Sequence, residues 1–361
     1  MKRRQFLKAA GLGAAAAGAI AAPAIAQSAP TIKWRMTASW PKSLDTLYGG
    51  AVDLAEAVSA ATDGKFQIQS FAAGEIVPAL QALDAASNGT VEIAHTASYY
   101  YFGKDPTFGL GTSIAFGPNQ RLNQGWFYEG GGGTVLNEFY KKFNVNMLLA
   151  GNTGCQMGGW FRKEINTVDD LKGLKFRIGG FPGRVIQKLG GVPQLLGAPD
   201  IYPALEKGVI DAAEWVGPYD DEKLGFYKVA KNYYTPGWWE GGSMIAAFIN
   251  LDKWNALPKS YQAILAQAAA YANDKMIAKY DKLNPPALKR LIANGTKLHA
   301  FSPAIMEACW KTAMELHDDI AKSNASFKKV YESMQAFQRE AYPWFRVAEL
   351  NYDSFMIRKL S

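Results

Sequence analysis

The stretch DLKGLKFRIGGFPGRVIQKLGGVPQLLGAPDIYPALEKGVIDAAEW, residues 170–215, decides how the fold is read. LKFRIGG and GVIDAAEW are short apolar runs of strand character, and each stops at a polar or glycine-rich end. Between them PGRVIQKLGG reads as a helix with Pro182 near its first turn. PDIYPALEKG reads as a second helix, with Asp200 as cap and Gly208 as stop. Just upstream, TVDDLKGL reads as a short helix capped by Thr167. Strand and helix alternating in this way predict an α/β domain with a parallel sheet.

The N-terminal part repeats the rhythm. TIKWRMTASW (31–40) alternates as a strand, and TLYGGAVDLAEAVSAAT is helical and stops at Asp63-Gly64. KFQIQSFAAG is a strand, PALQALDAASNG a helix, and VEIAHTASYYY a strand running into three tyrosines. VNMLLAGNTGCQMGGWF is a strand from 145 to 150 and then turns glycine-rich; SMIAAFINL is another strand, bounded by Gly241-Gly242. From Pro258 the pattern is helical almost without a break. The expected organisation is an α/β domain over 31–152 with part of 243–300, a second over 153–242, and a helical segment over 303–361 that crosses the domains or mediates dimerisation.

Residues 1–26, MKRRQFLKAAGLGAAAAGAIAAPAIA, have a basic head, a weakly apolar middle and a small-residue end. Arg3-Arg4 followed by Gln5-Phe6-Leu7-Lys8 matches a twin-arginine export signal. Export to the periplasm follows. Cleavage after Ala26 would lower the formal charge from +7 to +3, so the basic balance gives little support to nucleic-acid binding. Cys155 and Cys309 form no framework and read as two free, mostly buried thiols.

Catalysis has little to stand on. His95, His299 and His317 lie far apart in no metal-ligand spacing. There is no nucleophile elbow and no Cys-x-x-Cys. Gly130–Gly133 lacks the lysine of a phosphate loop and reads as a flexible turn. The strand ends say more. Arg177 interrupts LKFRIGG, and its planar fork of donors suits a carboxylate, either a ligand's or that of a structural salt bridge. A carboxylate such as Glu214, at the end of an apolar run, is costly to bury without a partner. Parallel sheets bind ligands beyond the carboxyl ends of their strands. With Gln156 and Glu240, Glu214 makes a hard oxygen set suited to Na⁺ or Ca²⁺. Trp160, Trp215, Trp238 and Trp239 are candidates for the walls.

The ordered blocks DLKGLKFR, LGG-P and YPALEKGVIDAAE resemble the solute-binding proteins of tripartite ATP-independent periplasmic (TRAP) transporters. ATDGKFQIQSFAAGEI and ALDAASNGTVEIAH are similar to that family's first-domain blocks. The Glu214-Trp215 pair, CQMGGWFRKEI and GWWEGG resemble the branch that binds 2-oxo acids such as pyruvate. The resemblance implies a two-domain periplasmic-binding fold of type II-like form, closing on a small organic acid and delivering it to TRAP membrane subunits, with no enzymatic activity. It implies Arg177 as the carboxylate clamp. Gln156, Glu214, the Trp215 carbonyl and Glu240 would then be ligands of a cation, Na⁺ or Ca²⁺, bound with the substrate. Asn152 and Tyr100 or Tyr101 would reach the ligand. The helical tail permits a homodimer. Two alternatives stay open: a receptor for another organic acid or polyol, and an exported metal-assisted enzyme.

Overall fold

A computed structural model describes residues 30–360 of the chain, and Ile32–Ser361 forms one unit by its contacts. The signal-like segment 1–26 lies outside the described residues. Alternation sets the first strand, β1 (Ile32–Ala38): Trp34, Met36 and Ala38 are buried while Lys33 and Arg35 face solvent. It pairs in parallel with β2 (Phe66–Phe71) and β3 (Ile93–Thr96). The strand β4 (Val145–Asn152) completes this sheet with β10 (Met244–Asn250), in the order β2-β1-β3-β10-β4. Every residue of β10 is buried, and it lies antiparallel to both neighbours. The expected parallel sheet is therefore mixed, because a strand from late in the chain inserts between β3 and β4.

The second sheet contains the stretch quoted first. Its strands are β5 (Gly159–Phe161), β6 (Lys175–Arg177), β7 (Val192–Gln194), β8 (Ala212–Ala213), β9 (Asn232–Thr235) and β11 (Lys297–Ala300), in the order β11-β9-β5-β8-β6-β7. The strands β6, β7 and β8 run parallel; β5 is antiparallel to β8 and β9. No strand was expected after β10; β11 is one, paired with β9.

Helices cover the sheets as the periodicity predicts, with local corrections. Leu47–Ala61 buries Leu47, Ala51, Leu54, Ala55 and Val58 on one face and ends where Asp63 and Gly64 turn to positive φ. Asp170, which the reading leaves without a role, accepts from the Thr167 backbone N–H at 2.8 Å and closes the expected cap. Asp200 lies inside the first turn of Ala198–Glu206, whose cap is Gly197. The three tyrosines do not continue β3 but form a short 3₁₀ turn, Ser98–Tyr101. Gly130–Gly133 is the entry to a helix, Gly132–Tyr140, with Gly131 at φ 81° as its cap. Lys259–Ala293 is continuous through Pro285 and Pro286. It packs on β4, on Leu47–Ala61 and on the helix Pro218–Leu224, and this packing outweighs the local cost of proline. Pro303–Ser323, Ala325–Val347 and Glu349–Leu360 follow.

Two buried acids tie these layers together. The Thr46 hydroxyl, on the turn after β1, donates to Asp220 Oδ1 at 2.6 Å, and the Tyr280 hydroxyl donates to Oδ2 at 2.7 Å. Asp221 accepts from Trp160 Nε1 at 2.9 Å and from the Tyr233 hydroxyl at 2.7 Å. Burial pushes the Asp220 carboxyl up to about 6, against those two hydrogen bonds and Lys223; the Asp45 charge adds to the rise. A raised carboxyl stabilises the fold fully below its ordinary range, and that contribution is lost as pH climbs through about 6. An amide at 220 can accept from one hydroxyl and donate to the other. Asp220→Asn should therefore gain stability over the native chain between pH 4 and 8, by up to roughly 3 kcal/mol in urea unfolding. A stability difference that stays flat with pH would show that Asp220 is ionised throughout.

Candidate functional site

The chain passes from the first sheet to the second through residues 152–159 and returns through 235–244. These two crossings lie side by side. Gln156 N–H donates to Glu240 O at 3.0 Å, Gly237 N–H to Gln156 O at 2.9 Å, and Thr153 N–H to Ser243 O at 3.1 Å. Met157 N–H also donates to Val216 O at 3.0 Å, which ties the first crossing to the segment after β8. A Cβ at Gly159, where φ is +85°, would sit 2.7 Å from the Ala213 carbonyl, so only glycine lets β5 close on β8 there.

The parallel register Arg177↔Ala213 brings Arg177 and Glu214 to one end of the second sheet. Both are buried, with Arg177 at 0% exposure. Arg177 Nη1 donates to the Glu214 side chain through a very short contact and to the Glu214 carbonyl at 2.8 Å; Nε donates to Leu196 O at 3.1 Å. The guanidinium also lies 5.0 Å from the ring of Trp215. The pair exists, yet each partner keeps a free atom. Arg177 Nη2 and Glu214 Oε2 are buried with no protein partner. Gln156 Oε1 is in the same condition, its amide nitrogen being used on Thr153 and Ser243. The Glu240 carboxylate accepts from the Ser243 hydroxyl.

Unmatched buried groups are rare in folded proteins, so two on one ion pair, Arg177 Nη2 and Glu214 Oε2, point to an absent partner. A donor from Arg177 is left for an anion. Oxygens from Glu214 and Gln156 are left for a cation, and this hard oxygen set fits Na⁺ or Ca²⁺. Burial raises the Glu214 and Glu240 carboxyls; Arg177 opposes both, Ser243 opposes at Glu240, and the Glu240 charge adds to the rise at Glu214. Burial disfavours the Arg177 charge, but Glu214 outweighs it and the guanidinium stays ionised.

A small cavity, about 20 Å³ in volume, adjoins the crossings. Gln156, Trp215, Glu240 and Tyr100 line it; so do Trp40, Leu47, Tyr99, Thr112, Thr153 and Ser243, which the sequence reading missed. Tyr101 does not. Its hydroxyl is taken by Leu83 N–H at 2.8 Å and Thr96 at 3.2 Å, which turns it into the first sheet's core. Asn152 is buried at the start of the first crossing, accepting from Gly154 N–H at 2.9 Å, and it is absent from the lining. Of the four candidate tryptophans only Trp215 lines the cavity. Trp160 stacks on Tyr233 at 3.9 Å, Trp238 stacks on Phe116 at 5.3 Å, and Trp239 packs on Phe176. Cys155 and Cys309 are both free, and Cys155 is exposed, contrary to the expected burial.

Residues 37–324 match the family model for bacterial extracellular solute-binding proteins, family 7. The chain belongs to this family, that of the TRAP solute receptors. It is 49% identical over 98% of its length to the monocarboxylate 2-oxoacid-binding periplasmic protein of Nostoc, and covers 99% of that protein. A TRAP solute-binding protein from Bordetella bronchiseptica is 49% identical with a TM-score of 0.90, covering 92% of this chain and 98% of that one. It is a mixed-occupancy dimer with copurified calcium and picolinate in one site. A TRAP protein from Pseudoalteromonas atlantica, 34% identical with a TM-score of 0.87, covers 90% of this chain and 99% of that one; it holds sodium and pyruvate.

Glu214→Gln keeps the shape of the side chain but leaves the Arg177 charge buried with carbonyls alone. In the absence of added acid it should cost roughly 3–5 kcal/mol of stability by chemical denaturation. Unchanged stability would mean that the pair contributes nothing to the fold.

Proposed function

We propose that this family-7 receptor captures a small 2-oxo monocarboxylate of pyruvate type together with a cation and delivers it, unchanged, to TRAP membrane subunits. The observation that carries the reading is the free Arg177 Nη2 beside the free Glu214 Oε2, both buried at the end of the second sheet. One is a donor in search of a carboxylate, the other an acceptor in search of a cation. Gln156, Glu214, the Trp215 carbonyl and Glu240 would hold that cation. It would supply the positive charge that two carboxylates and an incoming acid require. The relatives bound to acid with sodium or calcium support the same pairing. A polyol hydroxyl could accept from Arg177 Nη2 but would bring no charge to the buried guanidinium, which favours an acid. The Arg3-Arg4 signal supports twin-arginine export to the periplasm.

The linkage is testable. If cation and acid share Glu214, each must raise the other's affinity by the same factor. Pyruvate affinity, measured by calorimetry after chelation and with Na⁺ replaced by a bulky organic cation, should fall at least tenfold. Restoring Na⁺ or Ca²⁺ should recover it, with the acid unconsumed. Affinity indifferent to both ions would sink the shared site; conversion of the acid would favour an enzyme.

The receptor works as a homodimer built on the helices after Pro303. In the described chain Trp344, Val347, Leu350, Tyr352, Phe355 and Ile357 are exposed at 52–67%, and no residue of Glu349–Leu360 is buried. That is a run of large apolar side chains a soluble monomer seldom presents. Sedimentation should give a dimer for the mature chain and a monomer after truncation at Ala348. A monomeric mature chain would remove the reading.

A further inference from the structure

We propose that Trp40, locked in place by His95, is the wall that sets how long an acid the site accepts, so that the receptor selects short-chain 2-oxo acids over branched and longer ones. The inference rests on the 2-oxo acid reading above and adds the size limit.

The cavity has a polar part, from Gln156 and Glu240, and an apolar part that includes Trp40, Leu47, Val216 and Ile245. A 2-oxo acid would meet Arg177 with its carboxylate, and its oxygens would meet the cation held by Gln156 and Glu240. Its side chain is left for the apolar part. Trp40 is one of the two tryptophans lining the cavity, buried at 1% exposure, with its ring 5.9 Å from Tyr100 and 6.2 Å edge-on from Trp215.

A flexible wall would yield to a longer acid, and this one is fixed. Trp40 Nε1 donates to His95 Nδ1 at 2.9 Å, and His95 Nε2 lies 3.2 Å from the Ala150 carbonyl of β4. A carbonyl only accepts, so Nε2 carries the proton and Nδ1 is the acceptor. The neutral ring in this single tautomer satisfies both neighbours, and burial holds His95 neutral, down to about 4. Turning the indole would orphan two buried polar groups at once. Trp40 also lies just past β1 of the first sheet, whereas Arg177 and Trp215 belong to the second. The wall therefore stands on the first sheet, separated from the clamp by the Trp215 ring that both approach.

The test compares dissociation constants for pyruvate and 4-methyl-2-oxopentanoate, by calorimetry with Na⁺ and Ca²⁺ present. The native chain should favour pyruvate by at least tenfold, since a single methylene in a tight apolar pocket changes binding by about tenfold or more. Trp40→Leu should reduce that preference by about tenfold, through a gain for the longer acid. Trp40→Phe serves as a milder variant that keeps an aromatic core, and it should shift the preference in the same direction. His95→Leu should shift it likewise with Trp40 still present. His95→Gln, whose amide can accept from the indole and donate to Ala150, should restore the native preference. A general loss of stability would lower both affinities and leave their ratio alone. An unchanged ratio in Trp40→Leu, Trp40→Phe and His95→Leu, or a native ratio near one, would overturn the inference. A native chain that binds neither acid would overturn the 2-oxo acid reading itself.

Discussion

Arg177 and Glu214 are buried against each other, and the surrounding structure is arranged to make that tolerable. Removing two charges from water costs several kcal/mol each, and their attraction recovers the cost only if further hydrogen bonds satisfy both groups. The guanidinium obtains carbonyls from Leu196 and Glu214, and its ring neighbour is Trp215. The carboxylate obtains one nitrogen and nothing else from the protein. This partial satisfaction is poor economy for stability alone. It is what a binding site needs, because groups already desolvated and aimed lose little further freedom when a ligand arrives.

The same logic explains the two crossings. A loop that merely joined two sheets would sit at the surface with its polar groups in water. Here residues 152–159 and 235–244 are hydrogen-bonded to each other, and Gln156 and Glu240 belong to them. The candidate cation donors thus come from both crossings and from the strand end at Glu214. Any relative motion of the sheets is felt at the site, because the segments that would bend are those that carry the donors.

Much of this was legible in the sequence, and what was not has a physical reason. Arg177 and Glu214 stand out because a charge at the end of an apolar run has few explanations. Gln156 and Glu240 stand out through their glycine-rich surroundings. Trp40 and Tyr99 gave no comparable signal, since an aromatic residue near a strand end is as fit for a core as for a cavity wall. Tyr101 was misplaced because three tyrosines in a row have no periodicity to separate them; the 3₁₀ turn sends Tyr100 to the cavity and Tyr101 to the core. The inner strand β10 was recognised as a strand but not as the antiparallel member of the first sheet. Spacing reports local conformation, while sheet order depends on partners more than a hundred residues away. In the helix through Pro285 and Pro286, likewise, local propensity yields to packing on β4.

Arg177 at 0% exposure has a further consequence. An acid cannot reach it from solvent while the contacts between the two sheets hold, so binding requires that some of them part. The nature of those contacts fits the requirement. Thr46 to Asp220 is a single hydroxyl bond, and Asp45 meets Lys223 where both side chains are partly in water, at 43% and 29% exposure. Exposed ion pairs are worth about 0–1 kcal/mol, and a hydrogen bond about 1 kcal/mol net. Trp40 against Trp215 adds apolar contact across the cleft. None of these is strong alone, and water can replace most of what they lose. An acid and cation that engaged Arg177 on one side and the first sheet on the other would add interactions that water cannot replace, and would favour the closed arrangement.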